Sequence, residues 1–348
     1  MPRLRRADCS GPGITRRRAG RGFAYYDEDG RRVDEREVLA RIRELGIPPA
    51  WKDVWISPSP KAKLQATGYD NAGRRQYLYH PDYRAAQEKA KYDKLIRFAE
   101  RLPDLRVAMA EDLDRDELDR ERVSAIALRI INLGWFRVGS ERYVRDGTYG
   151  ITTLLRRHVD VHGRRVALSF RGKQKIHVRS TLVDDELAAA MQELLNRKGG
   201  SRVFRFETED GLRNLTSAVL NDYVKLHMGE EFTAKDFRTW GGTLTAAITF
   251  AERAQRHGFP ETKAAEKRSV SEVMRRVAQQ LGNTPAVCRA SYVSPAVVEQ
   301  YLDGRTIEDF RPRHLRVVTG REVGLDPEEA ALLSLLRSWR IREARAAA

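Results

Sequence analysis

Five residues in four stretches of the chain carry side chains suited to handling a phosphate: Arg137, Lys173, Arg238, Asn283 and Tyr292. Tyr292 closes the stretch Leu281-Gly282-Asn283-Thr284-Pro285-Ala286-Val287-Cys288-Arg289-Ala290-Ser291-Tyr292, which predicts a turn that brings the phenol to a working position. A phenol with a pKa of about 10 is a poor nucleophile at neutral pH and needs a cationic site around it. Arg137 follows the amphipathic run Val123, Ile126, Ile130, Ile131 and the pair Trp135-Phe136, so it emerges where a buried helix ends. There a guanidinium is held rigidly, with a planar fork of donors that matches phosphate oxygens. Lys173 lies on a turn in Phe170-Arg171-Gly172-Lys173-Gln174-Lys175, where a hairpin can present an ammonium as proton donor. Arg238, in Lys235-Asp236-Phe237-Arg238, falls at the N-terminal edge of a helix, where unpaired N–H groups and the dipole attract phosphate. Each residue alone has a plainer account. Lys173 could be a solubilising turn residue, Arg238 part of a capping cluster around Asp236, and Asn283 a cap on the turn after Gly282. Their weight lies in the set.

The elements that must position this set divide the chain into a basic flexible arm over 1–19, a small domain over 20–88 and a larger one over 89–348. The arm, which includes Arg16-Arg17-Arg18, has little apolar content. Gly22–Tyr26, Val54–Pro58 and Gln76–Tyr79 read as strands, and Asp34–Leu45 as a helix stopped by Gly46. The larger domain is mainly helical with one β interruption. His158–Val161, Arg165–Phe170 and Gln174–Val178 alternate and are separated by turns at Gly163 and Gly172, which predicts a three-stranded meander with Lys173 at its second turn. Helices are expected at Asp184–Asn196, Asn214–Leu226, Phe237–Arg256, Glu261–Leu281, Pro295–Leu302 and Pro327–Arg340, the last capped by Asp326.

A net charge of +15 over 348 residues argues for a polyanionic partner, nucleic acid first. No apolar run approaches the roughly 20 residues that span a bilayer, and no signal-peptide pattern opens the chain, so a soluble intracellular protein is expected. Two cysteines, Cys9 and Cys288, make neither a disulfide framework nor a cysteine zinc site. There is no Gly-x-x-x-x-Gly-Lys-Ser/Thr loop and no His-Glu-x-x-His pair, which removes support for a nucleotide-driven motor and for a zinc hydrolase. Asp112-Leu113-Asp114-Arg115-Asp116 has Glu117 and Val123 where a calcium loop needs glycine and a carboxylate, and it reads as the acidic start of a helix.

The order Arg137, Lys173, Lys235-x-x-Arg238, Leu281-Gly282-Asn283 and Tyr292 resembles the type IB DNA topoisomerases, in the compact poxvirus-like form found in bacteria. The resemblance covers nearly the whole chain. It includes Gln65-Ala66-Thr67-Gly68-Tyr69-Asp70-Asn71-Ala72-Gly73-Arg74-Arg75-Gln76-Tyr77-Leu78-Tyr79-His80-Pro81, which looks like that family's N-terminal signature. It implies an α+β fold of tyrosine recombinase/topoisomerase IB type: a small β-rich N-terminal domain, then a mainly helical catalytic domain with a three-stranded β meander. It also implies relaxation of supercoiled duplex DNA without ATP, metal or other cofactor, by transient cleavage of one strand through a 3′-phosphotyrosyl intermediate and religation.

In that reading Tyr292 attacks, Arg137 and Arg238 clamp the phosphate, and Lys173 protonates the leaving 5′-oxygen with help from Arg137. Asn283 departs from the family's usual histidine: an amide donates a hydrogen bond but carries neither charge nor a mobile proton. Gln76, Tyr77, Tyr79, Tyr143 and Lys235 resemble DNA contacts. The implied partner is double-stranded DNA, clamped by a monomer in the cytoplasm at the nucleoid. A tyrosine recombinase shares the catalytic order, but its N-terminal domain is usually helical. A non-catalytic DNA-binding protein explains the charge and leaves Tyr292 without a role.

Overall fold

The computed structural model describes residues 4–5, 8–311 and 324–346. Parts of the expected basic arm, residues 1–3 and 6–7, lie outside the described residues, as do 312–323 and 347–348 of the larger domain. The chain divides into two compact units, Met1–Asp93 and Lys94–Ala348.

The first unit is an antiparallel five-stranded sheet with one short helix. Its elements are β1 (Ile14–Ala19), β2 (Gly22–Tyr26), α1 (Arg36–Glu44), β3 (Lys52–Ile56), β4 (Leu64–Tyr69) and β5 (Arg75–Tyr79), with spatial order β2-β1-β3-β4-β5. Ile14, Val33, Ile42, Val54, Ile56 and Ala66 form its core, with Trp51 and Leu78 packed against it.

The arginine-rich β1, assigned from composition to a flexible arm, is instead an internal strand of this sheet. Arg16 donates to the carbonyls of Ile47, Pro48 and Trp51, and its guanidinium lies 4.1 Å from the centre of the Phe23 ring. A charged residue can sit in a strand when its donors are satisfied this fully. In the signature segment, β4 and β5 are joined by a turn in which Asp70 accepts N–H bonds from Ala72 and Arg74 and Gly73 takes φ +70°. The Arg74 backbone bond, followed by its side-chain bond, holds the Asp70 carboxyl below the usual carboxylate range.

The helix α2 (Pro81–Leu113) begins in the first unit and ends in the second. The second unit continues with α3 (Arg120–Gly134), the single turn α4 (Glu141–Val144) and the meander β6 (Val159–His162), β7 (Arg165–Arg171) and β8 (His177–Val183). Then come α5 (Asp185–Asn196), the hairpin β9 (Arg205–Thr208) and β10 (Gly211–Asn214), and α6 (Ser217–Met228). The last helices are α7 (Asp236–His257), α8 (Lys263–Leu281), α9 (Pro285–Ser291), α10 (Pro295–Leu302) and α11 (Pro327–Ala346). The architecture is α+β, with the meander set into a mainly helical unit, as the sequence predicts.

The third meander strand runs His177–Val183 and not from Gln174, which belongs to the turn, and three further local expectations differ. The acidic string at 112–116 does not start a helix: Asp112 lies in the last turn of α2 and accepts from the Tyr223 hydroxyl at 2.7 Å, while Asp119 caps α3 through the Arg122 N–H. Asn214, expected to open a helix, instead ends β10 and pairs with β9, and α6 starts only after the Thr216 cap. The stretch before Tyr292 contains a two-turn helix, α9, rather than a turn alone. Thr284 caps it by accepting the Val287 N–H, and Pro285 occupies its first position, where a missing N–H costs nothing.

The helix α7 is the centre of the second unit. Its first half, from Phe237 to Leu244, is buried without a break. Phe98 meets Phe237 edge-on at 5.1 Å, and the Trp240 indole N–H donates to Glu329, which is also held by two bonds from Arg106. This buried helix is therefore fixed from behind by α2 and α11.

Candidate active site

The site is built where the end of α3, the start of α7 and the α8–α9 connection meet. The helix α3 stops at Gly134, and Trp135 takes the left-handed conformation at φ +52°, with its N–H on the Ile131 carbonyl. The Trp135 ring lies against Gly241 of α7 at a distance that excludes any Cβ. This reversal delivers Arg137, whose backbone carbonyl accepts the Ile151 N–H at 3.0 Å. At the other end, α8 closes with Gly282 at φ +58°, and the Asn283 N–H returns to the Ala278 carbonyl at 3.0 Å. That left-handed glycine ends the helix and turns the chain directly into the Thr284 cap.

Arg137, Arg238, Asn283 and Tyr292 come together here. Arg238 is 4% exposed and donates through Nη1 to the Trp135 carbonyl at 2.5 Å and through Nη2 to the Leu281 carbonyl at 2.8 Å. Its guanidinium carbon lies 5.1 Å from the centre of the Tyr292 ring. Arg137 donates through Nη2 to Asn283 Oδ1 at 2.6 Å and to the Gly282 carbonyl at 3.0 Å. Burial, reinforced by the neighbouring Arg238, pushes Arg137 down to about 10, with Tyr292 and Cys288 acting in the opposite sense. A buried and a half-buried cation side by side are costly unless an anion joins them, so the electrostatics favour an oxyanion at this place. Asn283 uses its oxygen on Arg137, and its buried Nδ2 has no partner among the described residues; the same holds for Arg238 Nε. Both donors belong to a cluster whose two arginines have no carboxylate partner among the described residues.

The Arg238 side chain bonds to carbonyls of other segments and not to the α7 terminus, the place its position in sequence predicts. Asp236 fills the first turn by accepting from the Thr233 N–H and hydroxyl and from Lys94, while Arg238 points inward onto carbonyls. Lys235, at the N-cap, is exposed.

The structure leaves Lys173 outside this cluster. It lies at the β7–β8 tip, exposed and without a side-chain hydrogen bond among the described residues, and is followed by Gln174 and Lys175 at φ +62° and +61°. The base of the hairpin is nevertheless tied to the loop of Arg137. The Arg171 carbonyl accepts the Tyr149 N–H at 2.8 Å, and Gly150 packs so tightly on Gly139 that a side chain has no room.

Among the expected DNA contacts, Tyr77 and Tyr79 are 46% and 41% exposed on the edge strand β5, with rings 6.2 Å apart and nearly parallel. Arg75 lies 5.8 Å from the Tyr77 ring. Gln76 falls on the opposite face of the strand and donates to Asp70 at 2.9 Å, which separates it from the tyrosines. Tyr143, in the second unit, is exposed on α4.

Residues that sequence reasoning missed are Gly241, Gly242 and Thr243, which lie against Trp135 and Tyr292. A visible signal existed. Two adjacent glycines inside a helix cost about 1 kcal/mol each relative to alanine, which marks a close approach of some other group.

Known proteins resemble this chain over most of its length. Residues 22–70 match the family described as bacterial DNA topoisomerase IB, N-terminal domain. DNA topoisomerase 1B of Acanthamoeba polyphaga mimivirus is 32% identical over 295 residues, which is 83% of this chain and 87% of the relative. DNA topoisomerase 1B of vaccinia virus (strain Copenhagen) is 20% identical over 78% of this chain and 84% of its own length. A solved structure of the XerH site-specific recombinase superposes with a TM-score of 0.32 at 14% identity, over 53% of this chain and 48% of that one, too slight a likeness to bear on function. Residues 80–311, about two thirds of the chain, match the family described as eukaryotic DNA topoisomerase I, catalytic core, and together with the mimivirus relative this shows that the chain belongs to the type IB DNA topoisomerases.

Proposed function

We propose that Tyr292 is the nucleophile of this topoisomerase, and that the cluster around it is the phosphate site. The observation that carries the reading is the contact set in which Arg238 covers the Tyr292 ring while Arg137 and Asn283 are hydrogen-bonded beside it. The phenolic oxygen attacks a DNA phosphodiester, the bond from phosphorus to the 5′-oxygen breaks, and the strand is left with a 3′-phosphotyrosyl bond and a 5′-hydroxyl. The phenolic proton leaves to solvent. The charge that builds on the pentacovalent phosphorane falls to Arg137, Arg238 and the Asn283 Nδ2–H, donors already fixed before DNA arrives. The leaving 5′-oxygen takes its proton from Lys173, a role supported by its exposure at the hairpin tip. The covalent bond keeps the energy of the phosphodiester, so rotation of the duplex and return of the 5′-hydroxyl restore the strand without ATP.

The partner is duplex DNA, to which the first unit adds affinity through Tyr77 and Tyr79 and the second through Lys235 and Tyr143. We read the working form as a monomer acting on nucleoid DNA in the cytoplasm. No helix among the described residues is long and apolar enough to cross a membrane.

Supercoiled plasmid incubated with the enzyme in EDTA without nucleotide tests the reading. Relaxation, with DNA covalently attached to a Tyr292 peptide after denaturant quench, is the expected result. Recombinant products from paired sites would make it a recombinase. Plasmid that is retarded but never nicked would leave only a binding protein.

A further inference from the structure

The buried face of α7 carries a feature that the phosphate cluster does not use. Thr245 and Thr249 of this helix donate their hydroxyls to carbonyls one turn back, Gly241 at 2.8 Å and Thr245 at 2.7 Å, as threonines in helices commonly do. Thr243 does not. Its hydroxyl leaves the helix, donates to the Tyr292 carbonyl at 3.1 Å and accepts the Ser294 N–H at 3.1 Å. Thr243 and Ser294 are both fully buried, so no solvent competes for these bonds. The residue before it has no side chain. A Cβ at Gly242 would stand 2.8 Å from the Tyr292 carbonyl oxygen and 3.0 Å from the Tyr292 Cβ. From the other side the N–H groups of Tyr292 and Val293 both reach the Cys288 carbonyl, at 2.9 and 3.1 Å. The segment 292–294 between α9 and α10 is thus clasped on two sides.

We propose that Thr243 and Gly242 are positioning residues that fix the backbone of Tyr292 on α7, the helix that also carries Arg238. The inference rests on Tyr292 being the nucleophile. Its physical content is registration. Arg238 precedes Thr243 by five residues on one rigid helix, so the guanidinium and the backbone of the attacking tyrosine are referenced to a single body. Neither Thr243 nor Gly242 touches the DNA or the reacting atoms. Their effect is on the angle and distance at which the phenol meets phosphorus, a variable to which rate is steeply sensitive.

Single-turnover cleavage of a suicide duplex, with DNA affinity and a melting curve recorded for every variant, tests this. Thr243→Val keeps the shape and removes both bonds; it is expected to cut about 10- to 100-fold more slowly, the scale of a displacement near 1 Å, with DNA affinity unchanged. Thr243→Ser, which keeps the hydroxyl, should recover most of the rate. Gly242→Ala leaves the hydroxyl in place and displaces Tyr292 by contact alone, so it should slow cleavage to a similar degree even if Thr243→Val proves too unstable to assay. Thr245→Val, which removes a hydroxyl bonded within the helix, should cut at the wild-type rate.

Wild-type cleavage by Thr243→Val, a Thr243→Ser enzyme as slow as the valine variant, or a loss confined to DNA affinity would each overturn the proposal. Wild-type enzyme and Tyr292→Phe run alongside separate the two levels. Failure of the wild type to form the adduct sinks the assignment of Tyr292, whereas an adduct formed equally well by wild type and Thr243→Val sinks the positioning role alone.

Discussion

Arg238 and Lys173 are two cations assigned to one phosphate, and the protein holds them in opposite ways. Arg238 is buried, grips two backbone carbonyls and lies over the Tyr292 ring, on a helix packed against α2 and α11. Lys173 is exposed on a hairpin tip, with no side-chain hydrogen bond among the described residues and two left-handed residues after it. The contrast separates two kinds of work. A donor that must meet developing charge is useful only if it is already in place, and burial among fixed carbonyls achieves that. A proton donor need only reach the leaving oxygen once the duplex is bound. The hairpin, anchored at its base by Arg171 and unconstrained at its tip, suits that second task.

The largest expected effect lies at the point both cations serve. Tyr292→Phe removes the nucleophile and should lower cleavage by at least about four orders of magnitude, on the scale of losing a covalent catalyst, with DNA binding unchanged. Measurable relaxation by this variant would dissolve the comparison at its root.

Arg238→Ala comes next and should fail in two ways. Cleavage should fall about a thousandfold through loss of a phosphate donor. The buried carbonyl of Leu281 and the part-buried carbonyl of Trp135 would also lose their partners, at roughly 1–3 kcal/mol for the buried one, which lowers the melting temperature by several degrees.

Lys173→Ala should show the first loss without the second. Its cleavage should drop about a hundredfold or more, while an exposed substitution shifts stability by no more than about 0.5 kcal/mol. A duplex with sulfur at the 5′-bridging position should restore the rate, because a thiolate leaves without a proton. If Arg238→Ala melts like wild type, or if sulfur fails to rescue Lys173→Ala, the division between fixed clamp and reaching donor is wrong.

What the sequence disclosed follows the same line between groups that define an element and groups that define how elements meet. The meander, α7, α8 and α10 are long or alternating enough to be read from pattern, and they carry Lys173 and Arg238 to their observed places in the fold. β1 was hidden because its three consecutive arginines have the composition of a tail, and only the carbonyls of Ile47, Pro48 and Trp51 explain how Arg16 is accommodated.

β4 was hidden for a related reason. Gln65 and Thr67 are polar and buried, and Gln65 is satisfied by the Ala62 carbonyl and by Arg41, so the strand shows no alternation. α9 is too short for periodicity, although its Thr284-Pro285 start was legible in principle. The inward turn of Arg238 and the off-helix bond of Thr243 depend on segments distant in sequence, which no local rule reports.

Asn283 sharpens the clamp side of the comparison further. Its oxygen is fixed on Arg137, which leaves the amide Nδ2–H as a donor with no partner among the described residues. Asn283→Ala should therefore lower cleavage by about a hundredfold, as for loss of one preorganised oxyanion donor, with little change in affinity. Asn283→Asp should be worse than alanine. It keeps the bond to Arg137 but replaces the donor with a negative charge aimed at the phosphate. An aspartate variant as active as wild type would remove Asn283 from the phosphate site.

The smallest effect belongs to the exposed face of β5, where the stacked Tyr77 and Tyr79 lie beside Arg75. Truncating one exposed aromatic at an interface costs about 1 kcal/mol, so Tyr77→Ala should weaken DNA binding roughly fivefold and leave the cleavage rate of bound DNA unchanged. Tyrosine is neutral and releases no counterion, so the slope of log affinity against log salt should stay as in the wild type. Arg75→Ala, one residue along the same face, should reduce that slope by about one, because each phosphate contact contributes one released ion. If Tyr77→Ala changes the slope and Arg75→Ala does not, the aromatics on this edge strand serve its packing rather than the duplex.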